Sequence, residues 1–185
     1  MSAAYHITKV FKSSTTNQIV IEFCLRMPIK VPYYKQSTDY TCGPASLRMV
    51  FEYFGKKHTE KELAKLLKTN PRIGTHTDSL EPFVKSHGFY THTKKGSALE
   101  DLKQSISKGH PVIVDYYIPE TNERHLSVVI HYDDTHIIMN DPWNGEGYKI
   151  LTEEFKKQWV SENNRYSSWM MSVSDKPIVL NKEIL

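Results

Sequence analysis

The apolar positions of this chain change their period part-way along it. From about residue 43 to 108 they recur at helical spacing, and beyond residue 110 they alternate or run together as in strands. In YTCGPASLRMVFEYFG (40–55), Leu47, Val50, Phe51 and Phe54 fall at i, i+3, i+4 and i+7, one apolar stripe of a helix. Gly55 follows as a stop signal. Pro44 is tolerated only in a first turn, so the helix starts within a residue or two of Cys42. The same spacing predicts helices over 59–68, 78–87 and 97–108, each closing near a glycine or a polar break. After Lys-Gly-His-Pro the pattern predicts strands at 111–117, 125–132 and 135–141 and a short one at YKIL. A helix over 152–160 follows, with Thr152 as its cap and Glu154 in its first turn, and then a last strand, SSWMMSVS. Upstream, 4–11 and 18–25 alternate weakly and read as two strands of an N-terminal ribbon.

Helices first and antiparallel strands after predict an α+β fold, N-terminal helices packed on a C-terminal antiparallel sheet. The 185 residues suffice for one domain with a real core. The expected division is an N-terminal β extension over 1–30, adding strands to the sheet edge, a main domain over 31–175 and a tail over 176–185.

Composition and charge narrow the partners. At 39% hydrophobic and 24% charged residues the chain has the make-up of an ordinary globule, so a packed core is expected. The net charge of +3 is small and the lysines are dispersed, and the basic face of KKHTEKELAKLLK (56–68) reads as a solvated helix face; no nucleic-acid partner is expected. No apolar run approaches the ~18 residues a membrane span needs. MSAAYHITKVFK lacks the apolar centre of a signal peptide, so a cytoplasmic location and no membrane partner are expected. Cys24 and Cys42 are too few for a disulfide framework or a zinc set, and Cys42 is expected to be free. There is no H-E-x-x-H run and the histidines are not at ligand spacing, so no metal or other cofactor is expected.

The position of Cys42 is the first chemical signal. A core cysteine would sit inside the apolar stripe, whereas Cys42 stands at the mouth of the helix with Gly43 and Pro44 behind it. Free N–H groups and the positive end of the helix dipole favour a thiolate there, as a nucleophile requires. The chain has nine histidines; five of them, His6, His58, His87, His92 and His110, fall in loops or on polar faces, and three, His125, His131 and His136, lie on the strand pair joined through YDDT. A two-residue turn at Asp133-Asp134 pairs Tyr132 with Thr135 and brings 125 opposite 142. His125 then meets Asn140-Asp141-Pro142 at the open end of the hairpin, and His131 and His136 meet at the turn. Activating a thiol takes a histidine oriented by a carboxylate or an amide, which selects His125 as the base. In this simple register Asn140 shares the face of His125 and Asp141 does not; a one-residue shift or bulge reverses that, so pattern leaves both open as the third member. Gln36, in the polar loop before the helix, could aim its side-chain N–H at the same space as the backbone N–H of Cys42, forming an oxyanion hole.

The segments VPYYKQSTDYTCGPASLRMVFEYFG and RHLSVVIHYDDTHIIMNDPWNG together resemble the papain-like cysteine peptidases of the bacteriocin-processing, double-glycine leader family. Gln, then Cys-Gly-Pro-Ala at a helix start, then His leading a strand, then Asp-Pro after the next strand match that family in order and spacing over roughly 31–160. The resemblance implies a papain-like fold with Cys42 as nucleophile, His125 as base, Asp141 as its orienting partner and Gln36 as oxyanion donor. It implies a peptide or protein substrate, hydrolysed through a thioester. Transfer of the acyl group to an amine, deamidation, and a non-catalytic peptide-binding module are the alternatives the same scaffold carries. Transporter-linked members are fused to membrane spans and an ATP-binding domain; this sequence has neither, nor a G-x-x-x-x-G-K-[ST] run, which points to the stand-alone branch.

Overall fold

Pro44, Ala45, Ser46, Leu47, Met49, Val50 and Phe51 are all buried, so the helix predicted from one apolar stripe is enclosed almost all round in its first two turns. It is α1 (Cys42–Tyr53) of a computed structural model that describes residues 28–160 and 168–179. Small residues at 43, 45 and 46 permit this close approach, and Ser46 Oγ donates to the Leu126 carbonyl at 3.0 Å, pinning the first turn to the sheet. Burying Leu47, Val50 and Phe51 contributes roughly 1.5–3 kcal/mol each. Phe51 anchors an aromatic cluster with Phe83 and Phe89, their ring centres 6.1 and 5.2 Å away.

The other helices are α2 (Glu60–Leu66), α3 (Thr77–Ser86), α4 (Leu99–Ser107) and α5 (Thr152–Trp159). Thr59 caps α2 in a capping box with Glu62. Thr152 is not a cap: it is already the first residue of α5, the cap position is Leu151, and the Thr152 N–H donates to Thr135 at 2.8 Å. Strand runs straight into helix here, so the orphan amide is satisfied by a neighbouring strand end instead of a side chain.

The strands are β1 (Tyr90–Lys94), β2 (Val112–Ile118), β3 (Glu123–Tyr132), β4 (His136–Asp141), β5 (Gly145–Leu151) and β6 (Trp169–Ser174). They form one sheet in the order β1-β6-β2-β3-β4-β5, antiparallel throughout. β6 lies between β1 and β2 and is buried at every position, its two serines, Ser172 and Ser174, included. The β1 strand is absent from the sequence reading. Tyr-Thr-His-Thr-Lys has no apolar alternation, and as an edge strand only half buried it needs none. The strands expected at 4–11 and 18–25 lie outside the described residues.

Before α1 the chain runs along the ends of β3 and β4. Ile29 N–H donates to the Ile130 carbonyl at 2.9 Å, and the Ile29 and Val31 side chains join the core. Gln36 N–H donates to the Pro142 carbonyl at 3.1 Å, which delivers the loop 36–41 to the end of the sheet where β4 turns into β5. Among the described residues no helix is long and apolar enough to cross a membrane.

Candidate active site

The register of the β3–β4 hairpin decides what faces His125. Tyr132 pairs with Ile137, two residues beyond the partner that a two-residue turn would give it. The connection is wider because Asp133 organises it: its Oδ1 accepts from the N–H groups of Thr135 and His136 at 2.8 and 2.7 Å. These bonds outweigh the slight burial and hold the Asp133 carboxyl down at about 2. A bulge between Val129 and His131 then takes back one residue, so that Val129 pairs with Met139 and Val128 with Asn140. The net displacement from the simple register is one residue, and an odd displacement exchanges the faces of a strand. Asp141 therefore shares the face of His125, and Asn140 is turned away.

The contacts follow from that parity. His125 Nε2 lies 3.1 Å from Asp141 Oδ1, with both side chains buried. An ionised carboxylate only accepts, so Nε2 carries the hydrogen, and Nδ1 is the nitrogen left to interact with the Cys42 thiol. Burial alone would push the ring toward neutrality; the bonds and charges of Asp141 and Cys42 outweigh it and raise the imidazole well above its ordinary value. Burial would likewise raise Asp141, but the His125 bond and charge, the Asn144 N–H and the Tyr116 hydroxyl hold it below its ordinary value. Asp141 is fully buried and accepts four bonds: His125, the N–H groups of Trp143 and Asn144 at 2.9 and 2.7 Å on Oδ1, and Tyr116 Oη at 2.7 Å on Oδ2.

Asn140 has a different occupation. Its Nδ2 donates to the Val31 carbonyl at 2.8 Å and its Oδ1 accepts from Gly147 N–H at 3.2 Å, so it ties the entering chain and β5 to β4.

Cys42 is the first residue of α1, where an N–H has no intrahelical acceptor. The residue behind it is held closely: a Cβ at Gly43 would come within 2.5 Å of Thr75 Oγ1 and 2.6 Å of Thr75 Cβ. Thr75 Oγ1 is itself 2.7 Å from Thr69 Oγ1. Gln36 is buried, and its Nε2 donates to the Thr38 carbonyl at 2.8 Å. The loop between Gln36 and Cys42 is braced twice. Thr41 Oγ1 accepts from Thr38 N–H at 3.2 Å, and Glu60 Oε1 accepts from both the N–H and the hydroxyl of Ser37, at 3.0 and 2.6 Å.

Of the residues singled out in the sequence, His125 and Asp141 are thus joined by a buried hydrogen bond, and Cys42 acts on the same imidazole. Gln36 enters through its backbone bond beside Asp141 and through the short loop to Cys42. His136 stays at the turn, 3.4 Å from Asp133. Cys24 lies outside the described residues. Two contributors escaped the sequence reading, Tyr116 and Glu60. Tyr116 is directly paired with His125 across β2 and β3, and that pairing was the only signal available for it. Among the described residues no three His, Cys, Asp or Glu side chains gather as a metal site.

Comparison with known proteins adds independent observations. Residues 28–167 match the peptidase C39-like family. An uncharacterized protein of Methanothermobacter marburgensis is 32% identical over 126 residues, 66% of this chain and 79% of that one. Another, of Methanothermobacter thermautotrophicus, is 34% identical over 58% of this chain and 68% of its own length. The fold superposes on a C39-like peptidase structure from Bacillus anthracis with a TM-score of 0.67 at 19% identity, covering 80% of this chain and 96% of the other. It also superposes on a double glycine motif protease of an AMS/PCAT transporter, solved with the leader peptide (TM-score 0.62, 23% identity, 80% and 94% covered). The peptidase domain of Streptococcus ComA, a bi-functional ABC transporter, gives 0.61 at 21% identity, with 77% and 97% covered. At these identities the structural likeness establishes the fold, helices packed on an antiparallel sheet in the papain-like manner.

Proposed function

The chain belongs to the peptidase C39-like family, and on that premise we propose that it is a cysteine peptidase hydrolysing peptide bonds through Cys42, His125 and Asp141, with Gln36 as an oxyanion donor. The observation that carries this is the buried Asp141–His125 hydrogen bond, with the Cys42 thiol at the start of α1 near enough to the ring to raise its hold on a proton.

Each residue has a task that its surroundings suit. Asp141 holds the imidazole in one orientation and stabilises its charged form, which leaves a thiolate and an imidazolium facing one another. The sulfur attacks the substrate carbonyl carbon, forming a C–S bond and an oxyanion. Gln36 Nε2 has two hydrogens; the Thr38 carbonyl engages one, which fixes the amide and leaves the second for the oxyanion, beside the Cys42 backbone N–H. As the tetrahedral adduct collapses, the C–N bond breaks and the His125 proton passes to the leaving amine. The thioester is then attacked by water, whose proton His125 accepts. The C–S bond breaks, the acid product departs, and the ion pair is restored. A peptide substrate suits the company this fold keeps, since one neighbour was solved with a leader peptide.

Incubating a peptide library with the protein and with Cys42→Ala, followed by mass spectrometry, tests the reading. Fragment pairs whose masses sum to the parent plus water, absent with Cys42→Ala, are expected. Amine adducts or single-dalton deamidation shifts would replace hydrolysis by transfer or deamidation, and an unchanged library would make the chain a binding module.

A further inference from the structure

We propose that Tyr116 is a positioning residue of this site: its hydroxyl takes Oδ2 of Asp141, so that Oδ1 alone faces His125 and the carboxylate gives up part of its charge to the phenol. This deepens the peptidase reading and rests on it for the catalytic consequence alone.

Three observations place Tyr116 there. It is paired with His125 across β2 and β3, so both side chains rise from the same face of the sheet at the same level. Its ring stands edge-on to the imidazole, 5.7 Å between centres and 87° between planes, which limits ring rotation on that side. Its hydroxyl donates to Asp141 Oδ2 at 2.7 Å while itself accepting from Asn144 Nδ2 at 3.5 Å. Both partners of the Tyr116–Asp141 bond are buried, Tyr116 1% and Asp141 0% exposed, so water does not substitute for a missing donor. Phe155, 6.3 Å from the ring centre, closes another side. The phenol remains a donor throughout the working range because burial, and then the Asp141 charge, push its ionisation far upward.

The physical consequence has a direction. A buried carboxylate that loses the donor on Oδ2 concentrates its charge on the remaining partners. The donor is worth more to Asp141 when His125 is neutral than when the imidazolium already balances the charge. Its removal therefore favours the imidazolium and makes His125 a weaker acid toward the leaving amine. Hydrogen bonds to charged groups of this kind are worth on the order of 10- to 100-fold in rate when lost.

Tyr116→Phe in the full chain is the test, because the ring and its packing stay. Nuclear magnetic resonance of histidine labelled with nitrogen-15 follows His125 without any substrate. The titration of His125 is expected to move to higher pH and its Nε2 proton to resonate further downfield. In the Asp141→Asn background the same substitution should move neither, since the effect passes through the carboxylate. On a cleaved peptide, kcat should fall about tenfold with KM unchanged. An unmoved His125 titration in Tyr116→Phe, or an equal shift in the Asp141→Asn background, overturns the proposal. A wild-type protein that cleaves no peptide overturns the peptidase reading instead, and the resonance arm still decides on Tyr116.

Discussion

Asp141 and Asn140 are adjacent, buried and polar, and the chemistry assigned to each differs because one residue of register separates their faces. Asp141→Ala should lower kcat more than it raises KM, since its bond keeps His125 charged and oriented for the proton transfers of the reaction, while Asp141→Asn should retain part of the activity. Asn140→Ala should spare kcat and cost about 1–3 kcal/mol in chemical denaturation, because it leaves the Val31 carbonyl and Gly147 N–H unpaired. A crippled but well-folded Asn140→Ala beside an active Asp141→Ala would reverse the assignment. Gln36→Ala should slow turnover by on the order of 10²–10³ with Cys42 still alkylable; a variant as active as the parent would remove Gln36 from the chemistry. Proton binding supplies a further test. His125 binds its proton more tightly in the fold than in the unfolded chain, so its stabilising contribution is complete below about pH 6.5 and is lost as pH rises through the higher folded value. The gap in melting temperature between the parent and His125→Asn should therefore narrow from near-neutral to alkaline pH. A gap that widens with pH would mean that the ring is buried neutral. Asp141 has the opposite sign: its contribution is present above about pH 4 and fades as pH falls.

At the level of elements, the start of α1 is set by what packs behind it. Gly43 is required by closeness, since a Cβ there would meet Thr75 Oγ1 at 2.5 Å. Gly43→Ala should therefore destabilise by about 1–3 kcal/mol and alter the rate at which iodoacetamide modifies Cys42. Adding Thr75→Gly should recover part of both losses, and the coupling in a double-mutant cycle is the quantity to read. Additive losses would mean that the contact does not constrain Gly43. The helix, and its start to within a residue or two of Cys42, were legible in the sequence, because a proline in a first turn and a 3.6-residue stripe are local signals. The partner loop at Thr75 was not, since nothing near residue 43 encodes which distant segment packs against it. β1 escaped for a related reason: its strand state is imposed by pairing with β6, against a sequence that carries no alternation of its own.

Over the whole molecule, the core draws on chain outside the regular elements. Ile29 precedes α1 in an extended segment, yet its side chain is buried and its N–H pairs with Ile130, at the bulge that sets the face of His125. Ile29→Ala should cost about 2–5 kcal/mol in a denaturant melt, as for a core aliphatic. A loss under about 0.5 kcal/mol, typical of a surface site, would show that the segment is only laid over the sheet.

The two-layer arrangement, the helix start within a residue or two of Cys42 and the meeting of His125 with the segment 140–142 were legible in the sequence itself. Each depends on spacing within a few residues or on one hairpin, and local periodicity carries that information. The face of Asp141 was beyond it. The displacement comes partly from Asp133 widening the turn and partly from a bulge at Val129–His131, and their difference, one residue, fixes the parity. The Tyr116 hydroxyl on Oδ2 and the Glu60 carboxylate on Ser37 belong to the same class, contacts between segments 25 and 23 residues apart. Only the packed sheet and helices bring such segments within hydrogen-bonding distance, because the partner of a buried polar atom is chosen by whatever the assembled fold places there.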